Sequence, residues 1–401
     1  MEIRSGTADM RLLIVWAESV NRPTGGSGHF WGLLDGLSAA GCNIRAVCPR
    51  YGLAAVPHSP HVRYLPLPPR SLFTFLLLQV WLLIAMPWYL LRHRPDVVYQ
   101  RTWFLSFLAR PLLWIAGVKL LMEIDAVVDE ETRMRGQCRI LAAAVRLLER
   151  LSFRFADGLV CVTEGIRNDV VRRGARPDKT AVIHNAARIT STPPLDLQNA
   201  RRALGLPTEA RIVGFAGTFA PWQGLDLLVD AALGIIAGCP EPVIFVLMGE
   251  GQMNDELRRH IAAARLTEQF IFLPPAGHEK VTILHAACDA VVIPIHDERK
   301  LRYGISPLKF WDAVSVGTPV IVPAGSELEV FLSRLRLPGV FEPSDTDDFT
   351  QKVLSALDQS EVCQSRRAEI RRIVQEEYSW RNAALKLMRF AASLRASHDS
   401  N

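Results

Sequence analysis

The stretch RYGISPLKFWDAVSVGTPVIVP, residues 302–323, decides how the chain is read. Ser306 and Pro307 mark a helix start: serine is a favoured N-cap, and proline suits the first turn, where its missing N–H costs nothing. Apolar spacing continues to about residue 315. A Gly317-Thr318-Pro319 turn follows, and the valine-rich run 319–322 reads as a buried strand. The start of a helix offers free N–H groups and the positive end of its dipole, which together make an anion site. Lys309, one turn in, adds a formal charge. Asp312, three residues on, shares its face. The same pattern also describes a plain capped surface helix with a solvated lysine, so the rest of the chain must choose between the two.

Outward from this stretch, short β-branched runs alternate with helical ones. In the first half the strands are expected at 12–16, 43–48, 97–100, 119–124, 158–162 and 180–183, with helical stretches at 29–40, 71–92, 103–117, 138–155 and 164–173. In the second half strands are expected at 211–215, 243–248, 269–272, 289–294 and 319–322. Helices fall at 224–237, 252–264, 279–287, 306–315, 327–334 and 346–358. Continuous apolar strands alternating with helices predict α/β architecture with parallel sheets covered on both faces. The Pro-, Thr- and Ser-rich segment 186–210 reads as a linker with a short helix. The expected organisation is therefore two doubly wound, Rossmann-like domains, 1–190 and 191–375, facing a cleft. The stretch 366–394 reads as one long basic amphipathic helix, and 376–401 is expected to cross back to the first domain.

The bulk numbers agree with a two-domain globular chain: 401 residues, 49% hydrophobic and 22% charged. Residues 1–190 carry 24 Lys/Arg against 15 Asp/Glu, net +9, while the remainder carries 22 against 26, net −4. A basic first half suits phosphates or an anionic membrane. Basic residues are not clustered with aromatics on one element, which argues against nucleic acid. The seven cysteines are scattered with no CxxC pair, as expected of reduced thiols in a cytosolic protein. The run 71–91, SLFTFLLLQVWLLIAMPWYLL, is about as long as a membrane span, but Gln79 and Pro87 interrupt it and it sits between strands of one domain. It is read as a helix packed on a sheet with its outer surface touching lipid.

Several segments, in order, carry a resemblance. They are PTGGSGHFWGLLDGLSAAGCNIRAVCP, RFADGLVCVTEGIRNDVVRRGARPDKTAVIHNAA, IVGFAGTFAPWQGLDLLVDAA, VIFVLMGEGQMNDEL, FIFLPPAGHEKVTILHAACDAVVIP and SPLKFWDAVSVGTPVI. The set resembles the retaining family 4 glycosyltransferases of the GT-B fold across nearly the whole chain. That resemblance implies sugar transfer from a nucleoside diphosphate donor, with no cofactor and no metal. Ser306, Pro307 and Leu308 would receive the pyrophosphate and Lys309 would neutralise it. Asp312, where the family has Glu, would accept the ribose hydroxyls. The family's first carboxylate falls on Gly304, and Thr218 and Gln223 stand where many relatives carry cations.

Other candidates have two readings each. Gly25 and Gly26, with Gly28, form a backbone cradle or a plain loop; the segment is no G-x-G-x-x-G fingerprint. Gly217 permits close approach of backbone to ligand. Gly249 and Gly251 end a strand, admitting a ligand or only making a turn. Glu123 and Asp125 end another strand, orienting the acceptor hydroxyl or merely solvating the strand end. The Asp345-x-Asp347 pair reads as a helix N-cap cluster. The expected partners are a nucleotide-sugar donor, a lipid-linked or saccharide acceptor and a membrane surface. The expected place is the cytoplasm, peripheral on the inner face of the cell membrane, in polysaccharide or glycolipid synthesis. Two rivals share the fold: a sugar-nucleotide epimerase and a catalytically inactive scaffold subunit.

Overall fold

The computed structural model describes residues 10–18, 20–51, 59–67, 72–102, 105–128, 139–189 and 194–399. The chain forms two units. The first comprises residues 1–22, 29–185 and 380–401, and the second comprises 23–28 and 186–379. The divisions expected at 190 and 376 thus fall at 185/186 and 379/380.

In the first unit the chain runs β1 (Arg11–Val15), α1 (Gly25–Ala39), β2 (Asn43–Tyr51), β3 (Val62–Leu67), α2 (Leu72–Arg92), β4 (Val97–Arg101) and α3 (Arg110–Ile115). It continues with β5 (Lys119–Ile124), α4 (Arg139–Phe155), β6 (Gly158–Cys161), α5 (Glu164–Arg172) and β7 (Thr180–Val182). The seven strands are parallel, in the order β3-β2-β1-β4-β5-β6-β7. Every residue of β5 is buried, which is why these strands read as unbroken apolar runs rather than alternating ones.

The second unit holds α6 (Leu197–Leu204), β8 (Arg211–Ala216), α7 (Leu225–Gly238), β9 (Val243–Met248), α8 (Asn254–Ala263), β10 (Phe270–Leu273), α9 (His278–Ala287) and β11 (Ala290–Val292). Then follow α10 (Glu298–Leu301), α11 (Leu308–Ser315), β12 (Val320–Pro323), α12 (Leu328–Leu335), β13 (Val340–Phe341), α13 (Thr346–Asp358), α14 (Ser360–Ser365) and α15 (Arg367–Glu377). Its six parallel strands are ordered β10-β9-β8-β11-β12-β13. The last helix, α16 (Trp380–Asp399), returns to the first unit.

Four expectations need correction. The basic C-terminal stretch is not one helix. It breaks at Tyr378, whose carbonyl accepts the Ala187 N–H at 2.8 Å, and α16 starts afresh at Trp380. Gly25 and Gly26 are not loop residues. Thr24 and Ser27 cap each other's N–H groups, at 3.2 and 3.0 Å, and so begin α1 four residues earlier than its apolar spacing suggests. Segment 186–210 is more than a linker, because α6 is locked into the second unit by a buried ion pair. Strands β3 and β13 were not anticipated.

α16 is seated by small residues. A Cβ at Gly32 or Gly36 of α1 would collide with Trp380, and one at Gly158 would strike Leu394. Among the described residues, no helix is long and apolar enough to cross a membrane. One face of α2, including Leu78, Gln79, Leu82, Met86 and Tyr89, is buried.

The ion pair on α6 is Arg201 with Asp289, 2.6 Å apart and both nearly fully buried; Asp289 also accepts the Ile212 N–H at 2.7 Å. Removing one partner strands the other charge away from water. Arg201→Ala should therefore cost about 3–5 kcal/mol in the second unit. Chemical denaturation followed by far-UV circular dichroism checks this, and a loss under about 1 kcal/mol would contradict the buried pairing.

Candidate functional site

In the second unit the residues singled out around 306 do come together. Pro307 has extended dihedrals, φ −74° and ψ 133°, so it is the cap and α11 starts at Leu308. Ser306 is therefore not the N-cap, and no side chain caps this helix. Its first N–H groups have no partner within the helix. A Cβ on Gly28, in the first turn of α1, would lie 3.0 Å from Leu308 Cδ1.

Lys309 is only 9% exposed. Its ammonium donates to Gln223 Oε1 at 2.9 Å and sits 3.6 Å from the centre of the Phe215 ring. Burial pushes the lysine down to about 7. Gln223 belongs to the short turn Pro221–Gln223 after β8. Gly217, with φ +149°, leaves room for the ammonium, since a Cβ there would stand 3.1 Å from Nζ. Gly249, with φ +152°, and Gly251 have a structural reason as well: Cβ atoms there would fall on the carbonyl oxygens of Gly217 and Phe219. Thr218 is exposed.

Asp312, three residues further along the helix, meets a different neighbour. Its Oδ1 lies 3.4 Å from His278 Nδ1, and His278 Nε2 lies 3.3 Å from the Arg188 carbonyl oxygen. Beneath them His285 is fully buried, and burial lowers it to about 4 against the pull of Asp312. Gly304 has φ +72°, the left-handed region, and its N–H closes the turn onto the Leu301 carbonyl at 2.9 Å. The Asp345 carboxylate accepts the Asp348 N–H at 2.9 Å and caps α13. Among the described residues no group of three or more His, Cys, Asp or Glu side chains is placed to hold a metal.

In the first unit Glu123 lies on β5, opposite Arg101 on β4. It is 2% exposed. Its Oε2 accepts from His29 Nε2 at 3.0 Å and from the Tyr99 hydroxyl. Burial works to raise the pKa of Glu123, but His29, Arg101 and Tyr99 together bring it below the usual value. Burial and the adjacent carboxylate push the Tyr99 hydroxyl far up. The His29 ring is clasped by Trp16 and Trp380, at centroid distances of 5.3 and 4.9 Å. Glu123 Oε1 has no hydrogen-bond partner among the described residues. Glu123, His29, Tyr99, His184, Asn185 and Trp380 line a common cavity. Asp125, just past the strand, is paired with Arg101, which also reaches Glu18 at 3.0 Å.

Two family profiles match this chain: "Glycosyl transferase 4-like domain" over residues 24–186 and "Glycosyl transferases group 1" over 196–373. The chain belongs to the family 4 glycosyltransferases of the GT-B fold. Curated relatives of this chain include D-inositol 3-phosphate glycosyltransferases. That of Rhodococcus jostii is 28% identical over 73% of this chain and 66% of its own length. That of Streptomyces scabiei is 28% identical over 59% of this chain and 55% of its own. The chain thus spans less than two thirds of the length of these curated relatives. Among solved structures, a sucrose-phosphate synthase from Thermosynechococcus elongatus superposes with a TM-score of 0.75 at 18% identity, covering 96% of this chain and all of that one. Anabaena HepE, solved with UDP and glucose, gives 0.66 at 17% identity over 96% and 100%.

In this family 4 chain the sequence pointed to Lys309, Asp312, Gln223, Glu123 and the glycines. It did not point to His29, Tyr99, Arg101 or Phe215. His29 follows Gly28 within α1, and its partner is 94 residues away. Glu123 and Asp125, read as orienting an acceptor hydroxyl or as solvating a strand end, are each held by neighbours: Glu123 by His29 and Tyr99, and Asp125 by Arg101.

Glu123→Gln keeps the shape and removes the charge that faces His29. Breaking such a buried pair costs about 3 kcal/mol, so the melting midpoint should fall by about 6 °C or more. The folded pKa of Glu123 lies below its unfolded value, so its contribution is present above that value and fades as pH falls through the folded one. Differential scanning fluorimetry from pH 7 to pH 3 should therefore show the gap between wild type and variant steady above about 4.5 and narrowing below it. A variant that melts with the wild type at pH 7 would refute a stabilising role for the buried carboxylate.

Proposed function

We propose that the chain transfers a sugar from a nucleoside diphosphate donor to an acceptor hydroxyl with retention of configuration, without a cofactor or metal. The observation that carries this reading is the buried Lys309 ammonium beside the uncapped start of α11. A lysine this far from water, met by a neutral amide oxygen and an aromatic ring, calls for an anion, and the adjacent helix end supplies N–H donors. Chain membership in the family 4 glycosyltransferases supports a nucleoside diphosphate as that anion.

In the proposed reaction the bond from the anomeric carbon to the β-phosphate oxygen breaks, and its electron pair leaves with the diphosphate. The N–H groups at Leu308 and Lys309 and the Lys309 ammonium offset the charge that develops there. The acceptor oxygen attacks the anomeric carbon from the same face and passes its proton to the departing phosphate oxygen. Asp312 takes the ribose hydroxyls, and His278 beside it fixes the carboxylate. Gln223 holds Lys309 in place until the phosphate arrives. Glu123, buried and bonded to His29 and Tyr99, serves as a positioning residue for the imidazole, and Asp125 holds Arg101.

The acceptor is a lipid-linked or saccharide hydroxyl in cell-surface polysaccharide or glycolipid synthesis. The protein works in the cytoplasm, peripherally on the inner face of the membrane. Support for that placement is the apolar α2 helix and the net positive charge of residues 1–190.

A thermal-shift series with UDP, GDP and ADP tests the donor site. At least one should raise the melting midpoint by about 5 °C at a concentration of about one hundred times its Kd. Lys309→Ala should weaken that ligand about tenfold or more. The lysine loses its proton above about 7, so wild-type affinity should decline from pH 6.5 to 8.5 while the variant's stays flat. If no nucleotide shifts the midpoint, the donor reading is wrong.

A further inference from the structure

The steps β3 to β4, β4 to β5 and β5 to β6 all move the same way across the first sheet. Right-handed crossovers therefore place α2, α3 and α4 on one face, opposite α1 and α16. Contacts agree: Phe107, just before α3, stacks on Phe155 at the end of α4 at 5.3 Å, and Arg110 Nε donates to the Phe155 carbonyl at 3.0 Å.

That helical face is unusual in what it turns outward. On α2 the exposed residues from 76 to 91 are all apolar: Leu76, Val80, Ile84, Pro87, Trp88 and Leu91. They recur every three or four residues, forming a stripe opposite the buried one. Ile84 and Leu91 are 75% and 79% exposed. On α3 Trp114 and Ile115 are exposed, and on α4 Ile140, Leu147 and Phe155. Of the 14 large apolar side chains exposed among the described residues, ten lie on these three helices. A soluble surface helix ordinarily turns polar residues outward, and a patch this size marks a docking surface.

The charges select the partner. Arg92, Arg94, Arg150 and Arg154 are exposed on or beside the same helices, and Arg63 lies 5.7 Å from the Trp88 ring. Among the described residues of α2, α3 and α4 the sole carboxylate is Glu149, which is buried and held by Arg173 at 3.0 Å. Apolar side chains with arginines and no exposed carboxylate match the interface of an anionic bilayer, where rings and alkyl groups sit at the headgroup level and guanidinium groups meet phosphates.

We propose that the face formed by α2, α3 and α4 docks on an anionic phospholipid bilayer, with Ile84, Trp88, Leu91, Trp114 and Leu147 entering the interface and Arg92, Arg150 and Arg154 meeting lipid phosphates. This deepens the peripheral-membrane reading by naming the surface and the lipid chemistry, and it rests on that reading. Because one side of α2 covers the sheet, the helix lies along the membrane rather than across it.

Flotation of the full chain with phosphatidylcholine vesicles, and with vesicles containing phosphatidylglycerol, tests the proposal. Wild type should float with the anionic vesicles about tenfold more than with neutral ones, and salt at about 0.5 M should release it. Ile84→Glu with Trp88→Glu should abolish flotation, and Arg150→Glu with Arg154→Glu should reduce it about tenfold. The altered side chains are exposed, so circular dichroism and the nucleotide thermal shift should match wild type in both. Wild type that never floats overturns the proposal, as does flotation unaffected by the Ile84 and Trp88 changes. Equal, salt-insensitive binding to both vesicle types overturns the anionic part. A dimer in sedimentation velocity that Ile84→Glu dissociates, with no vesicle binding, assigns the face to a second copy instead. The nucleotide shift is read in the second unit, so loss of vesicle binding with that shift intact leaves the donor site standing.

Discussion

A charge inside an apolar α/β frame must be answered by a partner, and this constraint orders both units. The central strands of both sheets are almost wholly buried, so any ionised group among them loses its water. Arg201 and Asp289 answer each other and thereby fasten α6 to β8 and β11. Glu123 is answered by His29, Tyr99 and Arg101, which fastens α1 to the middle of the first sheet. Lys309 is answered least completely, by a neutral amide oxygen and an aromatic face. The two complete sets stabilise the frame. The incomplete one carries a lowered pKa and is the one the proposed function assigns to an anion.

Most of the fold was legible because parallel strands are buried on both faces and so appear as continuous apolar runs. Strands β5 and β9 fall on the residues their apolar runs mark. Legibility failed where the local signal was weak or contradictory. β3, VRYLPL, contains a proline and only one fully buried residue, and β13 is two residues long. The break at Tyr378 has no glycine or proline to announce it. It is imposed by the Ala187 N–H bonding to the Tyr378 carbonyl, a contact 191 residues apart in the chain. The start of α1 was misplaced because glycines suggest a loop, while the Thr24–Ser27 capping pair outweighs them.

The second unit's site was more legible than the first's for a similar reason. Lys309 and Asp312 share one short helix, and Gly217, which leaves room for Lys309, follows β8 while Gly249 follows the neighbouring β9, so their grouping follows from strand order. Gln223 could be placed near them by the same logic. The cluster around Glu123 instead joins residues 29, 99 and 123 from three separate elements, and no spacing in a single sequence encodes that. What could be read was a carboxylate at the end of a buried strand. The missing step was to ask what would neutralise it, and the candidates were the nearest histidine and arginine at the ends of neighbouring elements.

Gly304 shows how a departure from a family pattern can be conformational rather than chemical. The resemblance places a carboxylate at this position, and its absence by itself suggests a lost function. Here the backbone has φ +72° and ends the short helix α10, whose start is capped by Asp297 accepting the Arg299 N–H at 2.9 Å. Any side chain with a Cβ would pay roughly 1–2 kcal/mol to hold that conformation. The glycine is thus accounted for by the turn that α10 requires, independent of catalysis. Beyond that turn, Lys309 and Asp312 on α11 are each held by a neighbour at the outer end, Gln223 and His278.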